Sequence, residues 1–501
     1  MSEADFDYAD VQGLVRFGYG RLKSASYSLL RIKNAAAARE WLRDKLQSHA
    51  ITTAVKGNSL PTTALNVAFT SSGLTELGFA EVINGFSNEF IAGMTQESRS
   101  RQLGDIGANA PSGWAWGYAE KEPHLVVMFF AEKEPFDVFV QNSKGAAWKE
   151  AFHEIDSLPT ADLGGFEPFG FTDGISQPEI DWGQQRESKD IQPDYTNIVA
   201  LGEFLLGYRN EYTKFTERPL LEADATTNEL LAALDAPGKK DLGRNGTYLV
   251  MRQLEQDVRG FWQFIDEQAG GEAAERDKLA AAMVGRKTDG EPLVPIQKES
   301  IPGIDQDQAS KNQFTFDDDP AGVRCPFGAH VRRANPRNAD FPERPANVLK
   351  KLITMLGFGP DRFRYDLISS VRFHRILRRG REYGSELLPE QALQPAPPNE
   401  QPRGLNYICL NANISRQFEF LQNAWIASTK FSGLRGESDP LLGNREAILG
   451  CPAAGDFSMP NEGNLRSRLS DLPQFVTVRG GAYFFLPSLR ALHYFAASRN
   501  P

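Results

Sequence analysis

The sequence predicts an α+β fold made of two duplicated ferredoxin-like domains, antiparallel sheets with helices packed on them. Three observations predict it. The first third of the chain alternates strand-like and helix-like segments. The same alternation returns after residue 245. The two runs also share identities at one offset: Tyr27 and Tyr248, Arg31 and Arg252, and Trp41 and Trp262 each stand 221 positions apart (248−27, 252−31, 262−41). A repeat at a fixed spacing marks a duplicated structural unit.

Taken in order, "YSLLRIKNAAAAREWL" from Tyr27 reads as a strand and then an Ala-rich helix. "ALNVAFTSSGLTELGF" reads as a strand followed by a helix starting near Ser71 or Ser72, both suitable N-caps. "HLVVMFFAE" from His124 reads as a buried strand, with a helix expected through Phe136–Phe152. In the second half, "TYLVMRQLEQDVRGFW" repeats the first unit, and Leu29 and Leu30 align with Val250 and Met251. "GLNYICLNANISRQFEFLQ" resembles the second unit, with Leu65-Asn66 echoed by Leu405-Asn406, and "FVTVRGGAYFFLPSLRALHYFA" closes the chain as strand and helix. The expected division is an N-terminal domain over 1–180, connecting loops over 181–245 and a C-terminal domain over 246–501. Irregular stretches around 285–325 and the Pro-rich "LLPEQALQPAPPNEQP" read as loops on this duplicated core.

The bulk numbers narrow the class of function. The chain has 501 residues, 41% hydrophobic and 24% charged, enough to bury a large core. Its net charge of −10 argues against a general nucleic-acid binder. Three cysteines, Cys325, Cys409 and Cys451, are too few and too scattered for a disulfide framework and suit a reducing compartment. No apolar run approaches membrane-spanning length, and the acidic start lacks the pattern of a secretory signal, so a cytoplasmic location is expected.

Few residues can carry chemistry. "GFTDGISQP", Gly170 to Pro178, holds one acid, Asp173, between two glycines. Asp-Gly is a common turn pair, so Asp173 is either a turn residue or a proton-handling group. Of six histidines, His49, His124, His153, His493 and His374 sit in ordinary helix or strand contexts, His374 in the strand-like "RFHRIL". His330 lies in "RCPFGAHVRRANPR" with Arg332, Arg333 and Arg337 close behind, and reads either as a histidine in a basic loop or as a metal ligand beside charges that neutralise an anionic cofactor. In "RILRRGREYG", Arg378 and Arg379 end a strand-like run. Neighbours on a strand face opposite ways, so one arginine faces inward if the strand is half buried.

Together these stretches resemble the dye-decolorizing haem peroxidase family over nearly the whole chain. Gly170-Phe171-Thr172-Asp173-Gly174 matches the family's GxxDG motif. His330 with "RRANPR" looks like its haem-ligand segment, and "LRRGREYG" like its distal-arginine strand with Arg378 at the matching place. "DVQGLVRFGYG", "LNVAFT" and "VRGGAYFFLPSLRAL" are also similar to family segments. The 48 positions between His330 and Arg378 (378−330) hold an insertion that resembles the longer bacterial subgroup.

The resemblance implies haem b held by His330 in the second domain, with Asp439 as the carboxylate on the ring's other nitrogen and Glu437 as second choice. It implies that Arg332 and Arg333 neutralise the haem propionates. Asp173 would move the proton of hydrogen peroxide, and Arg378 would stabilise the charge that develops as the O–O bond breaks. The reducing partner would be a small phenolic or dye-like aromatic, with Trp425 either an electron relay or a core aromatic on a helix, and an oligomer possible. Haem or iron handling or sensing is the alternative within haem proteins, and an unligated scaffold the alternative outside them.

Overall fold

The computed structural model describes residues 6–57, 61–132, 136–184, 197–296, 311–337, 371–446, 455–461, 463 and 466–497. The first unit runs β1 (Ser24–Ile32), α1 (Ala35–Gln47), β2 (Thr63–Phe69), β3 (Leu125–Ala131), α2 (Phe136–Lys144) and β4 (Phe152–Pro159). The second runs β5 (Thr247–Gln256), α3 (Val258–Gln268), α4 (Ala273–Val284), α5 (His330–Ala334), β6 (Leu377–Arg378), β7 (Arg381–Tyr383), β8 (Gly404–Asn411), β9 (Val476–Leu486) and α6 (Leu489–Ala496).

Local chemistry sets most boundaries. Asn34 caps α1 by accepting the Ala36 and Ala37 N–H groups, and Trp41, Leu42 and Leu46 line its buried face. The helix after β2 starts at Ser71, but its cap is Thr70, whose Oγ1 accepts the Gly73 N–H at 3.0 Å. The helix expected through Phe136–Phe152 is interrupted. Gly145 at φ +65° ends α2, a short turn of helix spans Trp148–Ala151, and Phe152 already belongs to β4.

Nine of the described strands form one antiparallel sheet in which both units repeat one order. In the first, β1 lies between β3 and β4, and β2 pairs with β3. In the second, β5 lies between β8 and β9, and β6 and β7 pair with β8. This corrects one alignment within the duplication. β8 occupies the place of β3 rather than β2, because it flanks β5 as β3 flanks β1. The units join where Phe485 of β9 meets Phe69 of β2.

Both sheet faces are buried. One carries the helices, packed on Leu65, Val67, Phe129, Val250 and their neighbours. On the other, Tyr27, Met128 and Phe130 of the first unit share one core with Met251, Ile408 and Phe484 of the second. Strands buried on both sides read as continuous apolar runs, as "LVVMFFA" does. The stretch 197–245 is more than connection, because Val199, Leu201, Phe204, Leu205 and Tyr208 enter this shared core.

Candidate active site

A cavity of ≈ 290 Å³ lies on the helical face of the second unit's sheet. That is ligand-sized rather than room for a few waters. Strand alternation builds its floor: Arg252, Leu254 and Gln256 of β5 face it together, beside Leu405 and Tyr407 of β8 and Val476 and Val478 of β9. Asp173, His330 and Arg378 line the same cavity, so the fold gathers three of the residues singled out from sequence.

Arg378 reaches the cavity from β6, where it pairs with Cys409 of β8. Its Nη1 donates to Oδ1 of Asp173 at 2.8 Å. The side chains keep 34% and 33% of their surface accessible, so the pair can meet a small molecule in the cavity. Burial pushes the Asp173 carboxyl up, but the charge of Arg378, the Gly174 N–H and the Arg378 hydrogen bond outweigh it and leave it below the usual carboxylate range. Arg379 points the other way and donates to the carbonyls of Leu14 and Val15, both at 2.8 Å. The alternation expected for this pair therefore holds, with the N-terminal segment rather than solvent on the far face.

His330 is the first residue of α5, and its Nδ1 lies 2.9 Å from Oδ2 of Asp439. Asp439 is buried, and its Oδ1 accepts the N–H groups of Leu441 and Leu442 at 2.9 Å each. With Nδ1 committed to Asp439, Nε2 is the nitrogen left to meet the cavity. Glu437, the second choice for this partner, instead accepts the Ser458 N–H and hydroxyl at 2.9 and 2.7 Å.

The structure corrects the expectation for Arg332 and Arg333, neither of which lines the cavity. Arg332 is stacked by Phe316 and Phe327 and donates to Asp319 and to the Cys325 carbonyl. Arg333 is buried and donates to the carbonyls of Gly328, Trp425, Ser428 and Glu437. Both brace the loops around α5, with most of their printed donors on backbone carbonyls and Asp319. Arg286, Arg337 and Arg375 do line the cavity. Arg337 was near enough in the sequence to be noticed; Arg286 carried no local signal.

His374 is a further correction. It sits in a 3₁₀ turn, Val371–His374, before the strand begins, lines the cavity and stacks on Phe420 at 3.7 Å. Trp425 is buried in the cavity wall, which agrees with the core reading of this residue rather than with a surface relay. The insertion between His330 and Arg378 lies mainly outside the described residues, as does Cys451.

Comparison with known proteins bears on this arrangement. Residues 25–159 match the family model for the DyP dimeric alpha+beta barrel domain. Dye-decolorizing peroxidase msp1 of Mycetinis scorodonius is 28% identical over 98% of this chain and 88% of its own length. Along nearly its whole length this chain is similar to dye-decolorizing peroxidases. Multifunctional dye peroxidase DyP2 of Amycolatopsis sp. is 30% identical over 67% of this chain and 62% of its own. Among solved structures, an ancestral D-type dye decolorizing peroxidase superposes with a TM-score of 0.70 at 27% identity, covering 98% of this chain and 99% of that one. A fungal DyP-type peroxidase from Auricularia auricula-judae shares the fold at TM-score 0.72 and 24% identity, covering 98% and 100%. The similarity covers both units of the duplicated fold, whereas the family model matches the N-terminal unit alone.

Proposed function

We propose that this chain is a haem peroxidase that reduces hydrogen peroxide and oxidises phenolic or dye-like aromatic reductants in one-electron steps. The observation that carries the reading is the Asp173–Arg378 pair facing the same cavity as the Asp439-bound His330. The donor set fits haem b: a neutral imidazole with a carboxylate on its other nitrogen suits iron, and Arg286, Arg337 and Arg375 suit an anionic cofactor edge. Apolar walls such as Phe171, Leu254, Ile376 and Leu405 suit a flat, mostly apolar ring.

Haem, when bound, supplies the iron at which the peroxide O–O bond is cleaved. The chain supplies proton movement and charge. Asp173, kept ionised, takes the proton from one oxygen of hydrogen peroxide and returns it to the other, which leaves as water. Arg378 donates to the negative charge that grows as the bond opens, and its ion pair with Asp173 orients the acid. Asp439 holds the His330 ring in one tautomer and one orientation.

A role in haem or iron handling would use His330 but gives no reason for a paired acid and arginine. The placement in the longer bacterial subgroup rests only on the insertion, and relatives matched along nearly the whole chain are fungal, so we claim long members of the family without division by kingdom. The free, buried Cys325 and Cys409 support a reducing compartment, and cell fractionation tests a cytoplasmic location. The function is tested by loading the purified chain with haem and adding hydrogen peroxide with several aromatic reductants. A Soret band and peroxide-dependent oxidation are expected; a chain that binds no haem, or binds it without peroxidase turnover, sinks the reading.

A further inference from the structure

We propose that Glu167 is the positioning residue for Asp173: its carboxylate fastens the turn that precedes the acid to the second unit and so sets where the acid points. The proposal rests on the reading of Asp173 as the group that moves the peroxide proton. Glu167 stands six residues before Asp173, outside the motif that drew attention to the acid.

The turn closes on this side chain. The Phe169 N–H donates to Oε2 of Glu167 at 3.1 Å, and the Phe171 N–H to Oε1 at 3.0 Å. The Glu167 N–H donates to the Phe171 carbonyl at 2.9 Å, and the Gly170 N–H to the Glu167 carbonyl at 2.8 Å, with Gly170 at φ +95°. The carboxylate also ties the turn across the fold, because Nε2 of Gln256, the last residue of β5, donates to Oε2 at 2.8 Å. Trp262 of α3 adds a second tie, its Nε1 donating to the Phe169 carbonyl at 3.1 Å. Asp173 thus hangs from a loop of the first unit that is fastened to the sheet face forming the cavity floor.

A carboxylate is specifically suited to this place. Both of its oxygens accept, and together they take three N–H groups. Glutamine has one acceptor oxygen and would turn an NH₂ toward at least one donor. Glu167 also lines the cavity beside Asp173. Burial outweighs the three hydrogen bonds, Asp173 adds its like charge, and the Glu167 carboxyl is pushed up to about 7. The charged and titratable groups facing it are Asp173 on its own loop and His330 of α5, with the neutral Gln256 from β5. Glu167 therefore changes charge near neutrality, where Asp173 stays ionised. As pH rises through about 7, a charged Glu167 accepts its N–H bonds more strongly and makes Asp173 a better base, so the peroxide step speeds up.

The test uses the full haem-loaded chain with Glu167→Gln and Glu167→Ala. Two readouts are followed: amide hydrogen exchange of the Phe169–Asp173 segment, and the rate of reaction with hydrogen peroxide against pH. Both variants should keep a Soret band. The Phe169 and Phe171 amides should both exchange roughly tenfold faster in Glu167→Ala, and at least one of them in Glu167→Gln, as for loss of one hydrogen bond. The peroxide step should slow and lose its inflection near neutrality, in Glu167→Gln as well as in Glu167→Ala. Parent-like exchange overturns the proposal. So does faster exchange with a parent-like rate and pH profile, which leaves Glu167 a merely structural residue. If the alanine variant fails to fold, the glutamine variant decides. A parent chain without peroxide reactivity defeats the functional reading instead, while exchange still reports on the turn.

Discussion

Arg378 of β6 donates to Asp173 at 2.8 Å, so a strand of the second unit meets a loop that follows the first. Neither residue is informative alone, since Asp-Gly makes turns and an Arg-Arg pair ends many edge strands. Their contact across the fold turns two ordinary local features into an acid paired with a charge-stabilising donor.

Asp173→Asn should therefore bind haem but lose peroxide activation. Asparagine tolerates the same turn but is no base near neutral pH. In the parent, the Asp173 carboxyl is held below its usual value because Arg378 outweighs burial. The ionised form, and the stability its ion pair contributes, are present above the ordinary carboxylate range and lost only as pH falls through the lowered value. The final acid limb of the rate should thus lie below about 3.9, the ordinary value, and be absent from the variant. Stopped-flow mixing with hydrogen peroxide across pH measures it, and equal profiles would return Asp173 to being a turn residue.

Arg378→Leu should slow the peroxide step by roughly a hundredfold, the usual loss when a donor to developing charge is removed. The acid limb should also move to higher pH, since the largest influence holding the Asp173 carboxyl down is gone. Arg379→Leu is the internal comparison. It deprives the Leu14 and Val15 carbonyls of their donor, so it should lower the thermal midpoint while leaving the peroxide step near the parent's.

Much of this is legible in the sequence. Apolar runs and the 221-residue offset identify the duplicated α+β fold, because strands buried on both faces must be apolar throughout. The spacing of Arg378 and Arg379 shows that they part, since strand neighbours always do. The equivalence of β8 and β3 was not legible, because sheet order depends on pairing between distant strands and leaves no local mark. The positions of Arg332 and Arg333 behind the cavity leave no mark in the sequence for a related reason. A basic cluster beside a ligand looks the same in sequence whether its guanidinium groups face the cofactor or brace carbonyls behind it. Glu167 has no signature in the sequence, because its partners, Gln256 and two backbone N–H groups, carry no charge pattern.

Arg333→Met tests that correction. The four carbonyls it serves, on Gly328, Trp425, Ser428 and Glu437, would lose a buried charged donor. The loss of stability should be about 3 kcal/mol or more, read by denaturant unfolding. A propionate-binding role predicts the reverse pattern, with haem affinity falling and the stability of the haem-free chain unchanged.

Asp439→Asn tests the other end of the site. His330→Ala should abolish the Soret band, because His330 is the histidine whose carboxylate-bound ring lines the cavity. Asp439→Asn is finer, since it keeps the shape of the side chain and an oxygen for the Leu441 and Leu442 N–H groups. If that oxygen stays with the backbone, the amide NH₂ faces Nδ1 of His330. The ring must then present Nδ1 as acceptor and carry its proton on Nε2, the nitrogen needed for the iron. If the amide turns over instead, His330 keeps its tautomer and two buried backbone N–H groups lose their acceptor. Both outcomes weaken the site, by different routes. Haem affinity should fall roughly 10–100-fold, the usual loss for the partner of a metal-bound histidine. The tautomer route leaves the stability of the haem-free chain near the parent's, whereas the backbone route lowers it. Titration with haem, set beside unfolding of the haem-free chain, separates the two, and unchanged affinity would remove Asp439 from the site altogether.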